Sequence, residues 1–353
     1  MRLSTTSVLT FLFGLLSAGY CMAQQPDTAS MDTDGTAHLT RVIPVPHSVS
    51  PEAQRSLAKH ITDPPMDESL AAKRIRTDAY AHSDAEAYKA IYPSKIEESK
   101  IAGVPVHVIT SATGVAPDRQ DRVLINLHGG GFTTDSGSLT ESIPIAALTH
   151  TKVIAVLYRL APESPFPAAV DDAVAVYREL LKTYKPEHIA VYGASAGAIL
   201  SGEFAVKLKA LGLPEPAALG IFSTTGDFSI PGDSQSVYTV TGVAGRLSPP
   251  QFGRKFINDY VGSADATDPI LSPLYADLRG LPPSLFITST RDMMLSQTTI
   301  LHRAFLRAGV DAQLVVFEGL NHGFWYEAGL PESKEANTLM AKFFLAHLGL
   351  PSQ

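Results

Sequence analysis

A serine hydroxyl becomes a working nucleophile when it stands exposed at a sharp turn, has a base beside it, and faces N–H donors for the charge of an oxyanion. Gly193-Ala194-Ser195-Ala196-Gly197 offers that turn, because it follows the apolar run Ile189 to Tyr192 and opens a helical pattern. A G-x-S-x-G string arises by chance in roughly one chain in ten of this length, so the flanking strand and helix carry the argument. His128-Gly129-Gly130-Gly131-Phe132 follows another apolar run, Val123 to Leu127. By itself it reads equally as a flexible glycine turn. Beside Ser195, its bare backbone N–H groups can share an oxyanion with the N–H of Ala196.

The base is expected on a loop after the last strand, and Asn321-His322-Gly323-Phe324 lies there. His302 and His347 fall inside helical patterns, and His128 reads as a residue that fixes the glycine loop. The chain order serine, acid, histidine places the acid between Ser195 and His322. Asp292 follows the strand Leu285 to Thr288 closely and is the expected acid. Glu318 is the rival, at the end of the strand that leads to His322, while Asp268 and Asp277 read as turn or surface residues.

These residues need a rigid frame. From about residue 101 onward, short β-rich runs alternate with helical patterns, the signature of an α/β protein with a mostly parallel sheet. The expected strands are Val104 to Ile109, Val123 to Leu127, Val153 to Tyr158, Ile189 to Tyr192, Leu219 to Ser223, Leu285 to Thr288 and Gln313 to Phe317. The expected helices are Pro167 to Tyr184, Ala196 to Leu211, Gln297 to Ala308 and Glu332 to Leu348. Several strands are unbroken Val, Ile and Leu runs, which implies cover on both faces. Residues 45–100, helical in pattern from Pro51 to Tyr92, precede the first expected strand, and 228–262 is a long Gly- and Pro-punctuated insertion. Long segments of this kind carry function, and the two are expected to form a helical cap over a catalytic domain of 101–350.

The chain resembles the hormone-sensitive-lipase family of α/β-hydrolases, the bacterial family IV esterases. The matching stretches are HGGGF at 128–132, YRLAPESPFPAAVDDA at 158–173, GASAG at 193–197, the acid at Asp292 and NHGF at 321–324. The resemblance implies an α/β-hydrolase fold of eight mostly parallel strands flanked by helices, a helical cap, and no metal or organic cofactor. It implies catalytic Ser195, Asp292 and His322, with an oxyanion hole of Gly130, Gly131 and Ala196, and bracing roles for Glu163 and Asp172. The chain departs from the family at Ala194, where an acidic residue is common, and at Ala198, where a glycine is common. It departs again after Asp292, where Met293, Met294, Leu295, Ser296 and Gln297 follow. Those changes imply a reshaped and more apolar substrate pocket.

Arg2 followed by the apolar stretch Val8 to Leu16 reads as a secretory signal peptide over 1–23, cleaved after Ala23, with a polar tail over 24–44. Export to a periplasm or the medium follows. The alternative, Cys21 as a lipidated first residue, fits poorly with the bulky Tyr20 before it. Cys21 is the only cysteine, so a chain cleaved after Ala23 has no thiol or disulfide. With 28 basic and 35 acidic residues, the net charge is −7, and loss of Arg2 takes it to −8. No cluster of Lys and Arg suits nucleic acid, and no apolar run spans a bilayer. The expected partner is a small-molecule ester or lactone, and no residue pattern calls for a homodimer. The expected reaction is hydrolysis of short-chain or small apolar carboxylic esters through an acyl-enzyme. A lactone hydrolase would use the same constellation, and amide or carbamate cleavage ranks below both. A binding protein on a disabled hydrolase is the reading from another class, and the filled triad positions argue against it.

Overall fold

The computed structural model describes residues 27–59, 69–237 and 258–350. The signal peptide read over 1–23 and most of the insertion read over 228–262 lie outside the described residues. The chain divides at Pro44 into two units. In the first, β1 (Thr28–Met31) and β2 (Ala37–Thr40) pair antiparallel, from Thr28 opposite Thr40 to Met31 opposite Ala37. Every residue of this hairpin is exposed, so it left no apolar alternation to read, and the sequence suggests only a polar tail.

The second unit opens with α1 (Pro51–Leu57) and α2 (Leu70–Ile91). Ser50 and Ser69 cap them, their hydroxyls accepting from the N–H groups of Ala53 at 3.1 Å and Ala72 at 3.2 Å. Then come β3 (Ser94–Ile101), β4 (Val104–Ser111), β5 (Val123–Leu127), α3 (Ser142–Thr149), β6 (Lys152–Val156) and α4 (Ala168–Leu180). The second half holds β7 (Ile189–Ala194), α5 (Ala196–Ala210), β8 (Ala218–Phe222), the short α6 (Asp233–Val237), β9 (Ser284–Ser289), α7 (Leu295–Arg307), β10 (Ala312–Phe317) and α8 (Pro331–His347).

Strands β3 to β10 form one eight-stranded sheet in the order β10-β9-β8-β7-β5-β6-β4-β3. Pairing is parallel from β6 through β10, while β4 runs antiparallel to both β6 and β3. The alternation of side chains splits each central strand between two cores. Val123, Ile125 and Leu127 of β5 and Val191 of β7 face one layer with Val170 of α4, Phe204 of α5 and Phe305 of α7. Leu124 of β5 and Tyr192 of β7 face the other, with Tyr88 of α2, Ile143 of α3 and Phe344 of α8. Burying each such large side chain contributes about 1.5–3 kcal/mol, and cover on both faces explains why these strands read as unbroken apolar runs.

Strand β3 corrects the sequence reading, which placed 45–100 wholly in a helical region. Its sequence SKIEESKI is exposed at most positions and sits at the sheet edge, where one neighbour suffices and apolar alternation is not required. The helix α3 also went unread. It is only eight residues long and almost wholly buried, so it shows no polar face.

Candidate active site

Strand β7 delivers Ser195 at the turn into α5, where the residue holds φ +56° and ψ −121°. That region is costly for a residue with a Cβ and is tolerated where surrounding structure over-determines it. Here the Ser195 N–H donates to Phe222 O at 2.9 Å, tying the turn to the end of β8. The flanking glycines are required by contact. A Cβ on Gly197 would stand 1.7 Å from Leu127 O, and one on Gly193 would stand 2.2 Å from the same atom. Gly197→Ala must therefore push α5 off β5. We expect a loss of about 2–3 kcal/mol or more, seen as a lowered midpoint in urea unfolding, with activity falling as well.

His322 arrives on the loop after β10. Its Nε2 lies 3.0 Å from Ser195 Oγ and its Nδ1 lies 2.9 Å from Asp292 Oδ1. Asp292 is 1% exposed and sits just beyond β9. The remaining acceptor sites of its carboxylate are filled. Met294 N–H donates to Oδ1 at 2.8 Å, Thr288 Oγ1 donates to Oδ2 at 3.0 Å, and Ser223 Oγ donates to Oδ2 as well. The rival carboxylates sit elsewhere. Glu318 accepts from Thr290 Oγ1, Asp277 pairs with Arg279 and Lys209, and Asp268 closes a turn through Ile270 N–H.

Electrostatics follow from this geometry. Burial pushes the Asp292 carboxyl up, but the charge of His322, its hydrogen bond and those from Ser223 and Met294 outweigh that, holding it below its ordinary value. Burial likewise pushes His322 down, and the charge and hydrogen bond of Asp292 more than compensate, holding it above its ordinary 6.5. A base acts when unprotonated, so kcat/KM should rise with pH through a single step above pH 6.5 and fall about tenfold per unit below it. A profile flat down to about pH 4 would contradict this placement of the base.

The HGGGF loop leaves β5 beside the serine turn. Gly130 holds φ +118°, and a Cβ there would meet Thr134 O at 2.1 Å. Gly130 O accepts from Thr133 N–H, Thr134 N–H and Thr134 Oγ1, so the loop closes as a turn. Among the described residues, the N–H groups of Gly130 and Gly131 have no acceptor within the protein. The N–H of Ala196 is likewise unused, as Ile199 N–H is the first in α5 to reach back, to Ser195 O. His128 fixes the loop as its position suggested. It is buried, its Nδ1 lies 2.8 Å from Gly129 O, and its ring stacks on Tyr158 at 4.1 Å, while Tyr158 Oη donates to His128 O at 2.6 Å.

Supporting residues come from other elements. Asp172 of α4 accepts from Arg159 N–H at 2.9 Å and from its guanidinium. Glu163 pairs with Arg74 of α2 at 2.7 Å. Arg74 also donates to Thr133 O and Ala161 O, and Lys73 donates to Thr133 Oγ1, so α2 is tethered to the end of the glycine loop. Ser223, Thr288, Tyr158 and Arg74 were not singled out in the sequence. The one available signal was position, because Ser223 and Thr288 stand at the carboxyl ends of strands, where open α/β sheets build their sites.

A family model described as alpha/beta hydrolase fold matches residues 124–326. An acetyl-hydrolase of Streptomyces hygroscopicus is 33% identical over 246 residues, covering 68% of this chain and 81% of that protein. An ethyl acetate hydrolase of Pseudomonas putida is 31% identical over 229 residues, covering 62% and 70%. Among solved structures, an esterase with 31% identity superposes with a TM-score of 0.76, covering 87% of this chain and 97% of that one. Another, an esterase from the bacterial hormone-sensitive lipase family, is 30% identical with a TM-score of 0.68, covering 82% and 100%.

Proposed function

The chain belongs to the hormone-sensitive-lipase family of α/β-hydrolases and is a carboxylic ester hydrolase, and we propose that it acts as a serine esterase on short-chain or small apolar esters through an acyl-enzyme. The observation that carries the mechanism is the unbroken line Ser195 Oγ, His322 Nε2, His322 Nδ1 and Asp292 Oδ1, with steps of 3.0 and 2.9 Å. Ser195 Oγ attacks the ester carbonyl as His322 takes its proton, and Asp292 stabilises the imidazolium that forms. The oxyanion takes hydrogen bonds from the N–H groups of Gly130, Gly131 and Ala196. His322 then protonates the departing alcohol, and a water deprotonated by the same imidazole releases the acid.

The substrate class rests on three supports. The relatives named above act on acetyl groups and ethyl acetate. Ala194 and Ala198, where the family commonly carries an acid and a glycine, are fully buried beside the nucleophile, and Met293 and Met294 follow the acid. In this reading α2 belongs to the cap, as the tether from Lys73 and Arg74 to the glycine loop supports, while most of the segment 228–262 lies outside the described residues. Export after cleavage at Ala23 belongs to the same proposal. Initial rates on p-nitrophenyl esters from acetate to palmitate test it. We expect an optimum at the short end, while a palmitate optimum would refute the short-chain reading. A lactone would open through the same atoms, so lactones belong in the panel.

A further inference from the structure

We propose that Glu141 is a positioning residue that locks the HGGGF loop to the histidine loop, so that the oxyanion donors and His322 are held as one unit. The proposal rests on the serine esterase reading above. Glu141 precedes α3 and is buried. One oxygen, Oε1, accepts from Gly129 N–H at 3.0 Å and from Tyr326 Oη at 2.8 Å. The other, Oε2, accepts from Asn126 Nδ2 of β5 at 2.8 Å. Gly129 immediately precedes the two glycines whose N–H groups have no acceptor among the described residues, and Tyr326 lies four residues beyond His322. One carboxyl thus joins the strand that launches the glycine loop, the loop itself and the segment that carries the base.

The packing is built around this group. Gly137 lacks a side chain where a Cβ would stand 1.9 Å from Glu141 Oε1, and a Cβ on Gly129 would stand 2.7 Å from Tyr326 Oη. Both peptides that flank Gly129 are gripped, the one before it through Gly129 N–H on Glu141, and the one after it, which carries Gly130 N–H, through Gly129 O, which accepts from Ser136 N–H at 3.2 Å and lies 2.8 Å from His128 Nδ1. With both fixed, Gly130 N–H has one orientation. Loss of the Glu141 acceptor frees Gly129 N–H to seek another partner and lets the following peptides turn. Burial pushes the Glu141 carboxyl up to about 8, so a neutral group at this position is compatible with the site. Gln fits that description. Its Oε1 keeps the bonds from Gly129 and Tyr326, and a flip of the Asn126 amide, which now presents Nδ2 to Oε2, turns Oδ1 to accept from the Gln amide.

The experiment compares Glu141→Ala and Glu141→Gln with wild type at temperatures well below each variant's Tm. It measures kcat and KM on p-nitrophenyl butyrate and the inhibition constant of a trifluoromethyl ketone, whose adduct with Ser195 carries an oxyanion. We expect E141A to lose about 100-fold in kcat with little change in KM, and to bind the ketone correspondingly more weakly. E141Q should recover most of both. If E141A does not fold, Tyr326→Phe should show a smaller loss with the same split. Wild-type kcat in a folded E141A or Y326F, or a kcat loss with undiminished ketone affinity, overturns the proposal while leaving the esterase reading intact. A wild type that turns over no ester overturns both.

Discussion

Replacing Ser195 with Ala lowers kcat on a short-chain p-nitrophenyl ester by about 10⁶-fold, with the protein still folded. The size follows from the site's geometry. Ser195 Oγ is the oxygen held 3.0 Å from His322 Nε2, and without it the base has no nucleophile to activate. The N–H groups of Gly130, Gly131 and Ala196 remain, so the variant should still exceed the uncatalysed rate by about 10³–10⁴-fold. The backbone has no reason to move. The turn is pinned by Ser195 N–H on Phe222 O, and Ala carries the same Cβ as Ser at φ +56°. Unchanged Tm alongside lost turnover is therefore the expected pair of observations, and a variant keeping a tenth of wild-type kcat would displace Ser195 from its role.

Asp292→Asn should cost about 10⁴-fold in kcat and also move the pH profile. Asn can present Nδ2 to His322 Nδ1, which favours the tautomer carrying its proton on Nε2, the wrong one for taking a proton from Ser195. The charge that holds His322 above its ordinary value is lost at the same time. Burial then dominates and drives the imidazole down, so the residual activity should persist to lower pH than in the wild type. The Asn side chain also meets Ser223 Oγ and Thr288 Oγ1, whose protons point at a carboxylate in the wild type. A variant whose rate falls while its pH midpoint stays put would mean that Asp292 does not set the protonation of His322.

Much of this site was legible in the chain because its parts are local signals. The serine turn is a strand, Ser195 and a helix in direct succession, and the glycine loop and the histidine loop each follow a readable apolar strand. Chain order then selected Asp292, and the structure brings it to His322 while Glu318 bonds to Thr290 instead. The supports were not legible because they are tertiary. Ser223 and Asp292 lie 69 positions apart, and Glu141 and Tyr326 lie 185 apart, so nothing in either neighbourhood announces the other. Glu141 is a lone acid before a buried apolar helix, which in isolation reads as an ordinary helix start. The strands that escaped, β1, β2 and β3, are exposed, and their pairing is satisfied by backbone hydrogen bonds rather than by an apolar face. The periodicity that reveals a buried strand is absent from them for that physical reason.

The central claim, a nucleophilic Ser195 in the active protein, is tested most directly by labelling with diethyl p-nitrophenyl phosphate, which phosphorylates an activated serine and expels p-nitrophenolate. The account predicts one equivalent of phosphoryl adduct per chain, located by peptide mass analysis on Ser195 and appearing in step with loss of esterase activity. An adduct on another residue, or full activity in protein carrying the label at Ser195, would contradict it.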